Sequence, residues 1–202
     1  MKKLSFKYLA MSLLATLLMI NATAQDVYKL NEKNSKLLIE GTSSLHDWEV
    51  NAENFNCETT LKKVNENSVS INNINFKCPT EDVKSHNRIM DSKTHDALKA
   101  KKYPEITFRL ENPANVKSSG GQATVKGMLT IAGKTKAVNV TSNFGFKNDQ
   151  TFTVTGEVPL KMSDFGIDPP TAMMGALKTG DEVVIKYNFE FDKASNAISR
   201  NN

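Results

Sequence analysis

From about residue 36 the chain alternates apolar and polar residues with a period of two. Val125, Gly127, Leu129 and Ile131 share one face of Thr124–Ile131, and Val138, Val140, Phe144 and Phe146 share one face of Ala137–Phe146. Phe152, Val154, Gly156, Val158 and Leu160 alternate with Thr153, Thr155, Glu157 and Pro159. Val183, Ile185, Tyr187, Phe189 and Phe191 alternate with Lys186, Asn188 and Glu190, and Ile106, Phe108 and Leu110 alternate with Thr107 and Arg109. Successive side chains of a strand point to opposite faces, so each segment predicts a strand with one apolar and one wet face. Antiparallel sheets accommodate such faces and parallel ones generally do not.

Earlier segments behave alike but slip in phase. Trp48, Val50 and Ala52 share one phase, while Phe55, Cys57, Thr59 and Leu61 share the opposite one. Val69 and Ile71 are out of phase with Ile74 and Phe76. A slip within a long strand marks a β-bulge, which bends the strand as a barrel requires. With a first strand over Lys36–Thr42 the count is about eight. Short turn-rich stretches at Asn65–Asn67, Ser118–Gly121, Ala132–Lys134 and Asn148–Asp149 join antiparallel neighbours in up-and-down order. The expected fold is an all-β, eight-stranded antiparallel lipocalin-like barrel with one inserted helix. That helix is expected within Asp82–Lys102, which has no glycine or proline and ends before Tyr103-Pro104.

The start of the chain has a different character. Lys2, Lys3 and Lys7 precede an apolar run over Tyr8–Ile20, followed by Ala22-Thr23-Ala24. This is the pattern of a secretory signal peptide over residues 1–24, and the run is too short to span a bilayer. One barrel domain over residues 25–193 and a polar tail over 194–202 follow. The formal charge of the chain is +4; residues 1–24 hold three lysines and no acid, which leaves +1 for the remainder. No basic run interleaved with aromatics points to nucleic acid. Export places the protein in the periplasm or outside the cell, where the two cysteines, Cys57 and Cys78, are expected to pair as a disulfide. Their strands flank one turn, although counting around Asn65–Asn67 aligns them only if a bulge adjusts the register.

Candidate chemistry is sparse. His86 and His95 are nine residues apart and would lie on opposite faces of a helix, a poor metal pair. Ser44, His46 and Asp47 have triad residue types, but neighbours on a strand point to opposite faces. No enzyme, metal or cofactor is expected. The informative feature is the interior. A closed eight-stranded barrel is either filled by its side chains or holds one small ligand. Gly41, Gly127, Gly156 and, near the phase of its neighbours, Gly145 fall on or beside the inward face, where small residues leave room. The stretch Ser163–Thr179 is too apolar for a solvated loop, while Gly166, Pro169 and Pro170 bar a long helix or strand. It is expected to fold over the barrel mouth as a gate, with Met173 and Met174 as adaptable apolar contacts.

Four segments carry a family likeness: Gly41-Thr42-Ser43-Ser44-Leu45-His46-Asp47-Trp48, then Lys102-Tyr103-Pro104-Glu105-Ile106-Thr107-Phe108, then Val125 through Lys136, then Leu177 through Ile185. In this order and spacing the chain resembles the YceI-like family of exported lipid-binding proteins. The resemblance implies a lipocalin-like barrel with a helix over one end and an elongated apolar cavity for a polyisoprenoid or quinone-type chain. It departs from the family in having only His86, Arg88 and His95 around the helix, where more histidine and arginine are common. The expected function is to hold a long-chain isoprenoid or other lipid inside the barrel; a filled barrel acting as a structural or interaction protein is the alternative. The candidate ligand contacts are Trp48, Phe108, Leu129, Ile131, Phe144, Phe152, Val154, Phe165, Met173, Met174, Tyr187 and Phe189, with Arg88 or a neighbouring lysine at a phosphate head group. N-terminal sequencing of the protein from fractionated cells should return Gln25 as the first residue; recovery of Met1 on a membrane-embedded form would contradict export.

Overall fold

A computed structural model describes residues 25–195, apart from the side chains of Ala172 and Met173. The expected leader over 1–24 and residues 196–202 of the expected tail lie outside the described residues.

The strands are β1 (Asp26–Leu30), β2 (Lys36–Ser43), β3 (Trp48–Ala52), β4 (Asn56–Asn65), β5 (Ser68–Pro79), β6 (Val83–Lys84), β7 (Glu105–Leu110), β8 (Ala114–Lys117), β9 (Gly121–Ile131), β10 (Lys134–Phe146), β11 (Thr151–Lys161), β12 (Thr171–Ala172) and β13 (Leu177–Lys193). One helix, α1 (Arg88–Ala97), interrupts them. Several short strands are consecutive lengths of one stave. β1 and β2 both pair with β13, β1 pairs with β4 and β2 with β3, and β3 continues the pairing of β4 by meeting β6 beyond β5. β7 and β8 likewise share one flank of β5. Counted as staves, the sheet is an eight-stranded antiparallel barrel in up-and-down order. The long β13 closes it by pairing with β11 on one side and with β1 and β2 on the other.

The alternation read from the sequence is the inside–outside alternation of this barrel. Val125, Leu129, Ile131, Phe144, Phe152, Val154, Val183 and Phe191 are buried, and their off-phase neighbours face outward. The slip between Ile71 and Ile74 is a bulge: Thr60 faces Asn73 and Leu61 faces Ile71, which leaves Asn72 unpaired. The slip between Ala52 and Phe55 is instead a break between β3 and β4. Ala132 and Gly133 form the tight β9–β10 turn, both at positive φ (49° and 78°), as a two-residue hairpin requires.

The helix is shorter than the 82–102 stretch in which it was expected. Val83 and Lys84 extend the sheet by pairing with β3, His86 takes a left-handed conformation, and Asn87 then caps the helix by accepting from the amides of Ile89 and Met90. Absence of breakers permits a helix, but sheet pairing claimed the first residues. β1, β6, β8 and β12 were not foreseen. At two to five residues each, they carry too few alternations to register as a period.

The glycines also differ from expectation. Gly41, Gly127 and Gly156 do not open free space, because each is covered by an aromatic ring from an adjacent strand. A Cβ at these positions would lie 2.2 Å from Trp48, 2.2 Å from Phe108 and 2.4 Å from the Tyr187 hydroxyl. The rings of Trp48, Phe108 and Tyr187 therefore lie over the glycines at the wall. Gly127→Ala should cost about 1–3 kcal/mol through overpacking. Its Cβ would meet the Arg109 carbonyl oxygen at 2.7 Å as well as the Phe108 ring, and backbone cannot swing away. Thermal denaturation followed by circular dichroism should show a midpoint lowered by several degrees; an unchanged midpoint would mean that the Phe108–Gly127 seat is dispensable.

Candidate functional site

The inward faces do not fill the barrel. They enclose an elongated cavity of about 440 Å³. From Val183 near the mouth to Phe191 at the floor, β13 runs eight residues. At ~3.3 Å per residue and a tilt of roughly 40°, that gives a depth of roughly 20 Å.

The floor is aromatic. Phe152 and Phe191 line the cavity and stack at 4.9 Å, with an interplanar angle of 8°. On their far side Tyr28 packs edge-on to Phe152 at 5.1 Å and Phe146 packs at 5.6 Å; neither lines the cavity. The Tyr28 hydroxyl donates to the Asp149 carbonyl, which ties this plug to the β10–β11 turn.

The opposite end is the mouth. The cavity there is bounded by Leu45 and His46 of the β2–β3 loop, by Lys93 and Thr94 of α1, and by Pro170, Thr171 and Leu177 of the segment before and into β13. Two lysines tie the helical region to that segment: Lys93 Nζ of α1 donates to the Thr171 carbonyl, and Lys99 Nζ, just past the end of α1, to the Gly166 carbonyl, each at 3.0 Å. Asp181 holds the segment's start by accepting from the Ser163 amide and hydroxyl, which also lowers the pKa of Asp181. The apolar Ser163–Thr179 stretch thus lies across the mouth, with Phe165, Ile167 and Pro170 on its inner side.

Trp48, Phe108, Leu129, Ile131, Phe144, Phe152, Val154, Phe165, Tyr187 and Phe189 all line the cavity. Two candidates, Met174 and Arg88, stand apart from it. Met174 is fully exposed, because its backbone takes a left-handed conformation (φ 53°) that turns the side chain outward. The side chain of Met173 lies outside the described residues. Arg88, at the first turn of α1, borders a separate polar surface depression with Glu81, Asp91 and His95, on the helix face away from Met90, Ala97 and Leu98. Helical periodicity puts residue 88 off the face that residues 90, 94, 97 and 98 turn inward.

The sequence reading missed several wall residues. Leu37 and Ile39 lie on β2, Met90, Thr94 and Ala97 on α1, and Leu98 at its C-terminal cap. The helix residues follow a three-to-four spacing that could have marked them. Ser142 was missed because it is polar, although it lies on the inward phase between Val140 and Phe144.

Polar groups on the lower wall are few. Thr59 Oγ1 donates to the Asn73 carbonyl at 2.7 Å, and Ser142 Oγ and Tyr187 Oη are 2.6 Å apart. Burial raises the pKa of Tyr187, partly countered by its bond to Ser142. At the mouth, Ser44, His46 and Asp47 do not converge as a triad. Ser44 Oγ accepts from the Lys178 amide, and the His46 ring meets the Asp47 carbonyl rather than its carboxylate. Among the described residues no cluster could hold a metal ion, and no helix is long and apolar enough to cross a membrane.

The cysteines correct an expectation: both are buried free thiols that line the cavity. Cys57 faces Phe76 across the β4–β5 ladder, so Cys78 sits two residues further along β5 on the same face. Such diagonal neighbours have Cα atoms about 7–8 Å apart, longer than a disulfide accepts. The bulge that would have aligned them lies at Asn72, beyond both cysteines, and leaves the offset intact.

Residues 28–191 match the YceI-like domain. The chain belongs to the YceI-like family. Solved structures share the fold. BcnA of Burkholderia cenocepacia superposes with a TM-score of 0.64 at 22% identity, over 80% of this chain and 98% of that one. A polyisoprenoid-binding domain from Saccharophagus degradans, implicated in plant cell wall breakdown, superposes at 0.62 with 11% identity, over 83% and 98% of the two chains. A mutant of the Campylobacter jejuni YceI protein superposes at 0.56 with 20% identity, over 72% and 84%. Among curated proteins none matches. In this YceI-like chain the four sequence segments that carried the likeness fall around the mouth and the upper wall. Trp48 anchors the first by donating from its indole to the Thr42 carbonyl at 3.0 Å.

Burial pushes both thiols from the ordinary 9.0 up to about 12, with nearby Glu58 adding to the rise at Cys57 and Asp82 at Cys78. The folded state thus holds the thiol proton more tightly than the unfolded chain. The stability this contributes is present below about pH 9 and is lost as pH rises toward 12. A thiol reagent at pH 8 should leave the native protein unmodified, and denaturation without reductant should release two reactive thiols. One disulfide and no free thiol in freshly isolated protein would contradict the free-thiol register.

Proposed function

We propose that this chain is an exported carrier that holds the apolar chain of a lipid, of polyisoprenoid or quinone-like type, inside its barrel. The observation that carries the reading is the cavity itself. It is walled by aliphatic and aromatic side chains from every stave, with stacked phenylalanines at its floor and the mouth at its other end. Moving apolar surface from water into such a site contributes about 25 cal/mol per Å², offset in part by ordering of the chain. The Saccharophagus degradans relative, described as polyisoprenoid-binding, supports a ligand of this class. The basic and apolar leader ending in Ala22-Thr23-Ala24 supports export to the periplasm or beyond.

Catalysis is not part of this reading. Among the described residues the lower wall brings together no nucleophile, base and orienting group: its thiols are held neutral by burial, Thr59 bonds the backbone, and Ser142 and Tyr187 bond each other.

Trp48, the sole tryptophan of the chain, lines the mouth and reports occupancy. Titrating delipidated protein with single-chain lipids should shift its emission. Affinity should rise by up to about four-fold per added methylene, the equivalent of ~0.8 kcal/mol, and stop rising once the chain reaches the Phe152 floor. The reading fails if no chain length alters the emission and native mass spectrometry of freshly purified protein finds no extractable lipid.

A further inference from the structure

Below the mouth, among the described residues, the cavity wall carries one pair of hydroxyls whose hydrogen bonds are not used up. Ser142 on β10 is 3% exposed and Tyr187 on β13 is partly buried; both line the cavity, and their oxygens are 2.6 Å apart. Two hydroxyls bring two protons, and the bond between them consumes one. Among the described residues neither hydroxyl bonds a second group. Whichever of the two donates to the other, the second keeps an O–H with no acceptor. Thr59 differs, because its only proton already goes to the Asn73 carbonyl.

The pair is also held in place. The Tyr187 ring crosses Gly156, its ladder partner on β11, and only glycine allows this, since a Cβ there would lie 2.4 Å from the tyrosine oxygen. Ser142 faces Gly156 from the other side. The glycine is thus the seat that lets a tyrosine of one strand reach a serine two strands away. A buried hydroxyl proton without an acceptor is unfavourable, and an apolar ligand lying against it would leave it so.

We propose that the Ser142–Tyr187 pair is a recognition subsite for a carbonyl-type acceptor oxygen, of ketone, ester or quinone kind, carried near the leading end of the bound apolar chain. This rests on the reading of the cavity as a lipid site. The depth of the pair sets the direction of entry. From Tyr187 to the floor at Phe191 is four residues of β13, about 13 Å along the strand and roughly 10 Å along the barrel axis. The rings of Phe189 and Phe191 take part of that space. Only a short group fits below the oxygen, while the long chain must run upward to the mouth. The ligand therefore enters with its oxygenated end first, and the aromatic floor suits a planar, ring-bearing end.

The test compares an n-alkane with the methyl ketone of equal carbon count, each titrated against delipidated protein with Trp48 emission as the readout. Native protein should bind the ketone about five-fold more tightly, the equivalent of one hydrogen bond of ordinary net strength. Tyr187→Phe alone and Ser142→Ala alone each leave one hydroxyl with a free proton, so both should keep the preference. The double variant, which removes only two oxygens, should bind the two probes equally and the alkane at least as well as native protein does. Alkane binding with no ketone preference in native protein would overturn the proposal and leave the lipid-site reading standing. So would a preference that survives in the double variant. If neither probe binds native protein, the lipid-site reading falls and the proposal with it. The comparison in native protein decides the matter even if the double variant fails to fold.

Discussion

Closure of the sheet through β13 is the constraint on which everything else in this molecule depends. That strand pairs along its length with β11, and along its other edge with β2 and then β1. Once both edges are taken, every strand has two neighbours, and alternate residues of every strand must face one lumen. The same closure confines the lumen's volume. Eight staves leave space that is either packed by large side chains or left open for a ligand, and here the balance is struck differently at different depths. At the floor, four aromatic residues pack against one another and seal the barrel. Above them the wall is aliphatic and the centre is open.

Three cross-strand arrangements keep the centre open. Trp48 lies over Gly41, Phe108 over Gly127 and Tyr187 over Gly156. A ring that would otherwise project into the lumen is laid along the wall, because the position beneath it has no Cβ. The apolar surface of these residues is thereby offered to the cavity edge without its volume being consumed. The mouth is managed by polar contacts. One lysine on α1 and one just past its end reach backbone carbonyls of the segment before β13, and Asp181 ties down the start of that segment. These are exposed interactions of modest strength, while the floor is buried and tightly packed. The barrel is thus rigid where the ligand ends and more loosely tied where it enters.

The two thiols illustrate how closely register decides chemistry. Cys57 and Cys78 sit on adjacent strands, on the same face and within one hairpin, yet an offset of two residues separates them. The bulge at Asn72 shifts the ladder on the turn side only, so the pairing near the cysteines is set by β5 continuing past the bulge toward β7. Burial then keeps both sulfurs as neutral, small apolar wall residues.

What the sequence determined by itself was the period-two alternation, and with it the strand content, the antiparallel order, the bulge between Ile71 and Ile74, and ten of the residues that face the lumen. These are consequences of local geometry, since adjacent side chains of a strand must point to opposite faces. Tertiary structure alone decided where the phase led. Ser142 lies on the inward phase, but only its meeting with Tyr187, 45 residues away, makes it more than a polar interruption. The inward glycines looked like open space along one strand and became seats for rings from the next. Met174 has the composition of a lid contact and points to solvent because of one left-handed backbone angle, and Arg88 lies on the wrong side of its helix. Each of these depends on which strand, turn or helix face meets which, and closure of the barrel sets those meetings between residues far apart in the chain.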